Sequence, residues 1–114
     1  MHELPMILRL LDIARKAAQS NQLTRVTKIR VRIGELSDLV DSCMQLYFES
    51  ASVGTVCEKA ELEIAREPVK LRCIVCGQEF PHEASFSCPV CGGKTERIPG
   101  TGSGFVVESI EGEA

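Results

Sequence analysis

The stretch 69–99 reads VKLRCIVCGQEFPHEASFSCPVCGGKTERIP, and its reading decides how this 114-residue chain is organised. It holds two short motifs, Cys73-Ile-Val-Cys76-Gly77 and Cys88-Pro-Val-Cys91-Gly92, with eleven residues between Cys76 and Cys88. Each C-x-x-C turn presents two thiolates to one ion, and the glycine behind it permits close backbone approach and a positive φ. Two such turns close a tetrahedral four-sulfur site, the donor set of structural zinc, with Cys73, Cys76, Cys88 and Cys91 as its ligands. Iron fits the same thiolates, because an all-sulfur tetrahedron does not separate the two metals. With every ligand position filled by sulfur the ion keeps no place for an activated water, so no catalysis is expected from it.

A metal also answers an energetic question. The apolar residues of the segment, Leu71, Ile74, Val75, Phe80, Phe86, Val90 and Ile98, are too few to offset the conformational entropy lost in ordering it. A structural zinc ion contributes about 10–16 kcal/mol to folding and supplies the missing staple.

The flanking sequence is of a different kind. From Leu4 to Ser20, Ile7, Leu10, Leu11, Ala14, Ala17 and Ala18 recur at helical spacing, Pro5 sits harmlessly in the first turn, and Asn21 is a stop. Residues 23–33 switch to period two: Val26 leads in, Ile29, Val31 and Ile33 share one face, and Lys28, Arg30 and Arg32 share the other. Gly34 ends this strand, and Ser37 or Asp38 caps a second helix carrying Leu39, Val40, Cys43, Met44, Leu46, Tyr47 and Phe48 and ending near Gly54. A strand follows at 60–67, where Leu62 and Ile64 alternate with Glu61 and Glu63. These glutamates would pair with the Lys28, Arg30, Arg32 face if the two strands are neighbours.

Pro68 closes that strand. After the cysteine segment, Gly100 to Gly104 reads as a flexible connector and 105–110 as a terminal strand that needs a sheet to join. The chain therefore reads as α+β: a small sheet with two helices built from 1–68 with 104–114, and a zinc-ribbon-like four-cysteine domain, 69–103, inserted before the last strand.

Composition narrows the function classes. A formal net charge of −3 provides no global positive field for nucleic acid or an anionic membrane. No apolar run is long enough to span a bilayer, and the N-terminus lacks the n- and h-regions of a secretory signal, so a cytoplasmic protein is expected. In a reducing compartment six cysteines point to a metal rather than disulfides. Of the two outside the motif, Cys43 reads as a small buried hydrophobe of the second helix, and Cys57, in a loop, as an exposed thiol. No acid, base or nucleophile constellation is visible, which argues against an enzyme.

The N-terminus carries a second candidate metal site. The Met1 amine and the His2 amide nitrogen close a five-membered chelate ring, the amide and imidazole Nδ1 a six-membered one, and the Glu3 amide or carboxylate completes the set. Such a planar nitrogen field suits Ni(II) or Cu(II) better than tetrahedral Zn(II). The other histidine, His82, lies between the cysteine pairs and reads as a surface residue.

Together, Met1-His2-Glu3-Leu4, the run Val31-Arg32-Ile33-Gly34-Glu35-Leu36-Ser37, Phe48-Glu49 and the two cysteine pairs resemble the HypA/HybF family of hydrogenase maturation factors, over residues 1 to about 111. The resemblance implies a nickel metallochaperone that supplies Ni(II) to the immature large subunit of [NiFe]-hydrogenase with the GTPase HypB, and in some organisms also serves urease. It assigns nickel to Met1, His2 and Glu3 and structural zinc to Cys73, Cys76, Cys88 and Cys91. This chain departs from the family in having Pro5 where serine is usual, beyond the chelating amides; of the histidines that some members carry beside the zinc cysteines, it has only His82. The competing reading is a zinc-ribbon nucleic-acid or transcription adaptor, for which Lys28, Arg30 and Arg32 are the only basic run. A glycine hinge before the terminal strand leaves monomer and strand-exchanged dimer both open.

Overall fold

The computed structural model describes residues 3–82 and 86–114. Its elements are helix α1 (Glu3–Ser20), strand β1 (Arg25–Gly34), helix α2 (Asp41–Ala51), and strands β2 (Glu61–Glu67), β3 (Lys70–Cys73), β4 (Glu79–Pro81), β5 (Thr95–Arg97) and β6 (Phe105–Glu113). They form two three-stranded sheets, ordered β2-β1-β6 and β4-β3-β5. The α+β class expected from the pattern is the one observed. The chain divides into two compact units: one comprises the residues up to Arg32, Asp38–Ala65 and Val106–Ala114, the other Ile33–Ser37 and Arg66–Phe105.

In the first unit, α1 buries Ile7, Leu10, Ala14 and Ala18, one stripe of a 3.6-residue period. Its end is a reversal in which Gln22 takes φ 57° and the Leu23 amide donates back to the Ala18 carbonyl at 2.8 Å. Asn21, the expected stop, donates its side-chain amide to the Ala17 carbonyl at 2.8 Å. On β1, Val26, Ile29 and Val31 are buried, and Met44 and Phe48 of α2 and Leu62 of β2 complete the core. The terminal strand joins this sheet, with the Thr24 amide donating to the Glu113 carbonyl and the Thr27 hydroxyl to that of Glu111, an antiparallel arrangement.

The opposite face of the sheet is a ladder of charge. Lys28 reaches Glu61 at 3.9 Å and Glu63 at 3.5 Å, Arg30 reaches Glu63 at 3.9 Å and Glu108 at 3.2 Å, and Arg32 reaches Glu108 at 3.5 Å. The cross-strand pairing expected from sequence is therefore present, and β6 contributes a third strand of partners. Each exposed pair adds little stability, but together they neutralise the only basic run of the chain.

Helix α2 starts later than its sequence suggests. Its N-cap is Val40, an extended residue that offers no side-chain cap, rather than Ser37 or Asp38. Residues 35–39 are used otherwise: the Leu36 amide donates to the Gly102 carbonyl, the Ser37 amide to that of Gly34, and Leu39 is buried.

In the second unit β3 is central. Leu71 stands opposite Phe80 on β4 and Arg97 on β5, both pairings antiparallel. These three short strands were not legible as strands in the sequence, since none is long enough to display a period. The Gly100–Gly104 connector, expected to be flexible, is instead bonded in: Gly104 accepts from the Gly34 amide at 3.1 Å, Gly102 from Leu36 at 2.7 Å, and the Thr101 hydroxyl from Lys70 at 3.0 Å.

Candidate metal centre

Strand β3 delivers Cys73 to the start of a tight turn, in which the Gly77 amide donates to the Cys73 carbonyl at 3.0 Å and the Cys73 amide to the Gln78 carbonyl at 2.9 Å. The second turn repeats this pattern: Gly92 donates to the Cys88 carbonyl at 2.9 Å, and Cys88 to that of Gly93 at 3.1 Å. Gly77 and Gly92 take φ values of 77° and 71°, the left-handed conformation for which the sequence supplies glycine. The turns are joined where the Ile74 amide donates to the Lys94 carbonyl at 3.0 Å.

The result is one cluster. The sulfur atoms of Cys73, Cys76, Cys88 and Cys91 all lie within 4.8 Å of one another, with Cys73 to Cys91 at 3.5 Å and Cys76 to Cys88 at 3.6 Å. A tetrahedron of ~2.3 Å metal–sulfur bonds has edges of about 3.8 Å, so the spacing fits one ion. Cys73 and Cys88 are buried, Cys76 and Cys91 exposed.

Backbone amides prepare the thiolates. Val75 and Cys76 donate to the Cys73 sulfur and Val90 to that of Cys88, each at 3.4 Å. These amides, that of Cys76 foremost, draw Cys73 down to about 6, and the Cys91 amide leads the lowering of Cys88. At Cys91 the Gly93 amide also favours the thiolate, but the facing Cys73 sulfur, burial and the other two sulfurs outweigh it and push the thiol up to about 12. Four like charges at this distance resist joint ionisation, whereas a divalent cation among them binds all four as thiolates.

Gly93 explains how closely the backbone approaches. A Cβ there would lie 3.2 Å from both the Cys73 and Cys91 sulfurs and 2.9 Å from Val75 Cγ2. The sequence marks this only as a second glycine after Cys91.

Of the N-terminal set, Met1 and His2 lie outside the described residues. Glu3 lies within them, and its carboxylate is engaged elsewhere: Oε2 accepts the Val40 amide at 3.0 Å, and the residue is only 5% exposed. His82, expected at the surface, is half-buried, stacked on Phe86 at 4.2 Å and turned to Glu35, with Nδ1 3.6 Å from Oε2. The other Glu35 oxygen accepts the Val69 amide at 2.8 Å. Cys57 corrects a second expectation: it is fully buried, next in the chain to Val56, whose carbonyl accepts the Val26 amide at 2.9 Å, and is no exposed thiol. Cys43 is half-buried on α2. No helix among the described residues is long and apolar enough to cross a membrane.

Residues 1–112 match the family model described as hydrogenase/urease nickel incorporation, metallochaperone, hypA. The chain is 37% identical to the hydrogenase maturation factor HypA of Caldanaerobacter subterraneus subsp. tengcongensis, covering 99% of this chain and 100% of that one. It is 36% identical to HypA of Wolinella succinogenes, covering 100% and 97%. It is 33% identical to the maturation factor HybF of Escherichia coli K12, covering 99% and 100%. Among solved structures, the Ni metallochaperone HypA from Helicobacter pylori aligns over 100% of this chain and 99% of its own, with a TM-score of 0.67 and 29% identity.

Proposed function

The chain belongs to the HypA family, the nickel metallochaperones of hydrogenase maturation, and from that premise we propose that it carries Ni(II) at its N-terminus and zinc in its four-cysteine cluster. The observation that carries the reading is the family match from residue 1 to 112, which includes both metal-binding motifs in one chain. Nickel is cargo, held by the Met1 amine, His2 and Glu3, where nitrogen donors favour a planar ion. Zinc is resident, held by Cys73, Cys76, Cys88 and Cys91, whose spacing supports a closed tetrahedral site.

Two donor sets of different chemistry keep the metals apart. The protein acts as a carrier and not as a catalyst. Residues 1–68 with 104–114 form the nickel-handling domain, and residues 69–103 the zinc-binding one. Its partners are the GTPase HypB and the precursor of the [NiFe]-hydrogenase large subunit, with urease a further recipient, all in the cytoplasm. A nucleic-acid adaptor finds no support in the charge ladder, which pairs Lys28, Arg30 and Arg32 with carboxylates.

The test is a Ni(II) titration of untagged protein with a free Met1 amine, alongside His2→Ala and elemental analysis. One zinc per chain and a planar nickel spectrum that vanishes with His2 are expected. Full nickel affinity in His2→Ala would overturn the nickel site, and zinc retained after replacement of Cys73 and Cys88 would overturn the zinc site.

A further inference from the structure

Strand β2 lies at the edge of its sheet, with β1 as its neighbour. The two run parallel: the Val26 amide donates to the carbonyl of Val56, ahead of β2, and the Glu35 amide to that of Glu67, so the partners advance together. Carbonyls alternate sides along a strand, and with Glu67 facing β1 those of Leu62 and Ile64 face the open edge. The Leu62 carbonyl accepts the side-chain amide of Gln45, from α2, at 2.7 Å.

Between this edge and the flank of α2 runs a groove of about 700 Å³. The buried Phe48 and Leu62 form its floor, and Val53, 67% exposed, part of its wall. Its rim is acidic: Glu49, Glu58 and Glu61 stand against one cation, Lys59. Glu58 accepts the Gly54 amide at 2.8 Å and Glu61 lies 3.9 Å from Lys28, whereas the Glu49 and Lys59 side chains have no ion pair or hydrogen bond among the described residues.

A groove between an open strand edge and a helix is the geometry in which an extended peptide adds as a further strand. Main-chain bonds hold it, and its side chains alternate between the two faces of the sheet. Here those faces differ: Leu62 is buried on one, while Glu61 and Glu63 meet Lys28 on the other. An added strand with apolar residues on the first face and cations on the second matches both, and the acidic rim favours the same partner.

We propose that the groove between α2 and β2 is a docking site for an extended segment of a partner protein in which basic and apolar residues alternate, added to the open edge of β2. Gln45 holds the Leu62 carbonyl until the backbone of that segment takes its place. Neither metal site takes part, so the docking site does not depend on which metals the chain carries.

The experiment titrates the isotope-labelled, zinc-loaded full chain with a capped peptide of about nine residues alternating lysine and valine, long enough to span β2, and follows its amides by NMR. Shifts are expected at Leu62, Ile64 and the Gln45 side chain, with slowed exchange of the Ile64 amide. The same peptide with glutamate for lysine should not bind. Glu49→Lys, at an exposed helix position, should weaken the lysine peptide at least about tenfold. Should that reversal disturb the fold, Glu49→Gln reads the same loss in smaller measure. Two further lysine peptides are N-methylated at alternate amides, one at odd and one at even positions. Only one of these sets faces β2, so one peptide should fail to bind while the other binds like the parent.

No shift at about 1 mM peptide, the weak end of specific association, would overturn the proposal. So would equal binding of the lysine and glutamate peptides, or undiminished affinity in the Glu49 variant. Equal binding of both methylated peptides would remove strand addition, and the proposal with it. Should the same shifts appear without peptide as protein concentration rises, the occupant is a second copy of this chain, and the proposal falls on that count too.

Discussion

Gly34 and Gly102 meet backbone against backbone: a methyl group on Gly34 would fall inside the Gly102 carbonyl and the Ser103 amide, and one on Gly102 inside the Val69 side chain. The contact lets the Leu36 amide reach the Gly102 carbonyl at 2.7 Å and ties the glycine connector to the turn after β1. Gly34→Ala should therefore lower unfolding free energy by about 1–3 kcal/mol through overpacking. Gly102→Ala should cost at least as much, because its φ of 74° adds left-handed strain. Urea unfolding of the zinc-loaded variants checks both, and a Gly34→Ala midpoint equal to wild type would show that the crossing relaxes at no cost.

The same contact shows what the sequence could and could not convey. The main elements, α1, β1, β2 and β6, were legible because each is long enough to display its period, and the charges of Lys28, Arg30 and Arg32 matched those of Glu61 and Glu63. The sulfur cluster was legible because both its pairs are local. Strands of three or four residues carry no period, so β3, β4 and β5 were missed. The start of α2 was misplaced because the carboxylate that satisfies Val40 belongs to Glu3, 37 residues away. Gly100–Gly104 was misread for a related reason: glycines that provide freedom and glycines that permit close packing look alike until the partner backbone is known.

Gly92 and Gly93 separate those two roles at the metal centre. At Gly92 a Cβ would meet nothing within 4 Å, so Gly92→Ala bears only the left-handed penalty of its φ of 71°, about 1–2 kcal/mol. At Gly93 the added carbon would press on the Cys73 and Cys91 sulfurs at 3.2 Å. Gly93→Ala should thus release zinc to a competing chelator faster than Gly92→Ala does, at comparable global stability. Equal release rates would place the sulfurs' tolerance well above what their contacts suggest.

Cys57 should resist alkylation in the native protein. It is wholly inaccessible, and burial pushes its thiol up, so both the approach of the reagent and the formation of thiolate are suppressed. Cys43, half-buried on α2, should react first among the two. Mass mapping after brief iodoacetamide treatment, native and in urea, reads this directly: Cys57 labelled only in urea is expected, and native labelling at the Cys43 rate would contradict the packing.

Glu3 also sets an expectation for acid. The Val40 amide, followed by its own amide, holds the Glu3 carboxyl below its ordinary value of 4.5. A depressed folded value means that the unfolded chain takes up the proton first. The charged group therefore stabilises the fold above about pH 4.5, and this contribution is lost as pH falls through the lowered value. Asp12 shifts in the same direction, drawn down by Arg15 and Lys16, but on an exposed helix face. Glu3→Gln has no titrating group at this position, so urea midpoints of wild type and variant should converge at the acid end, separate as pH rises toward 5–6, and run parallel above. Protons compete for the four thiolates equally in both chains, so the difference between the curves isolates Glu3. A gap constant from acid to neutral pH would show that the carboxylate's charge contributes nothing to holding α1 against α2.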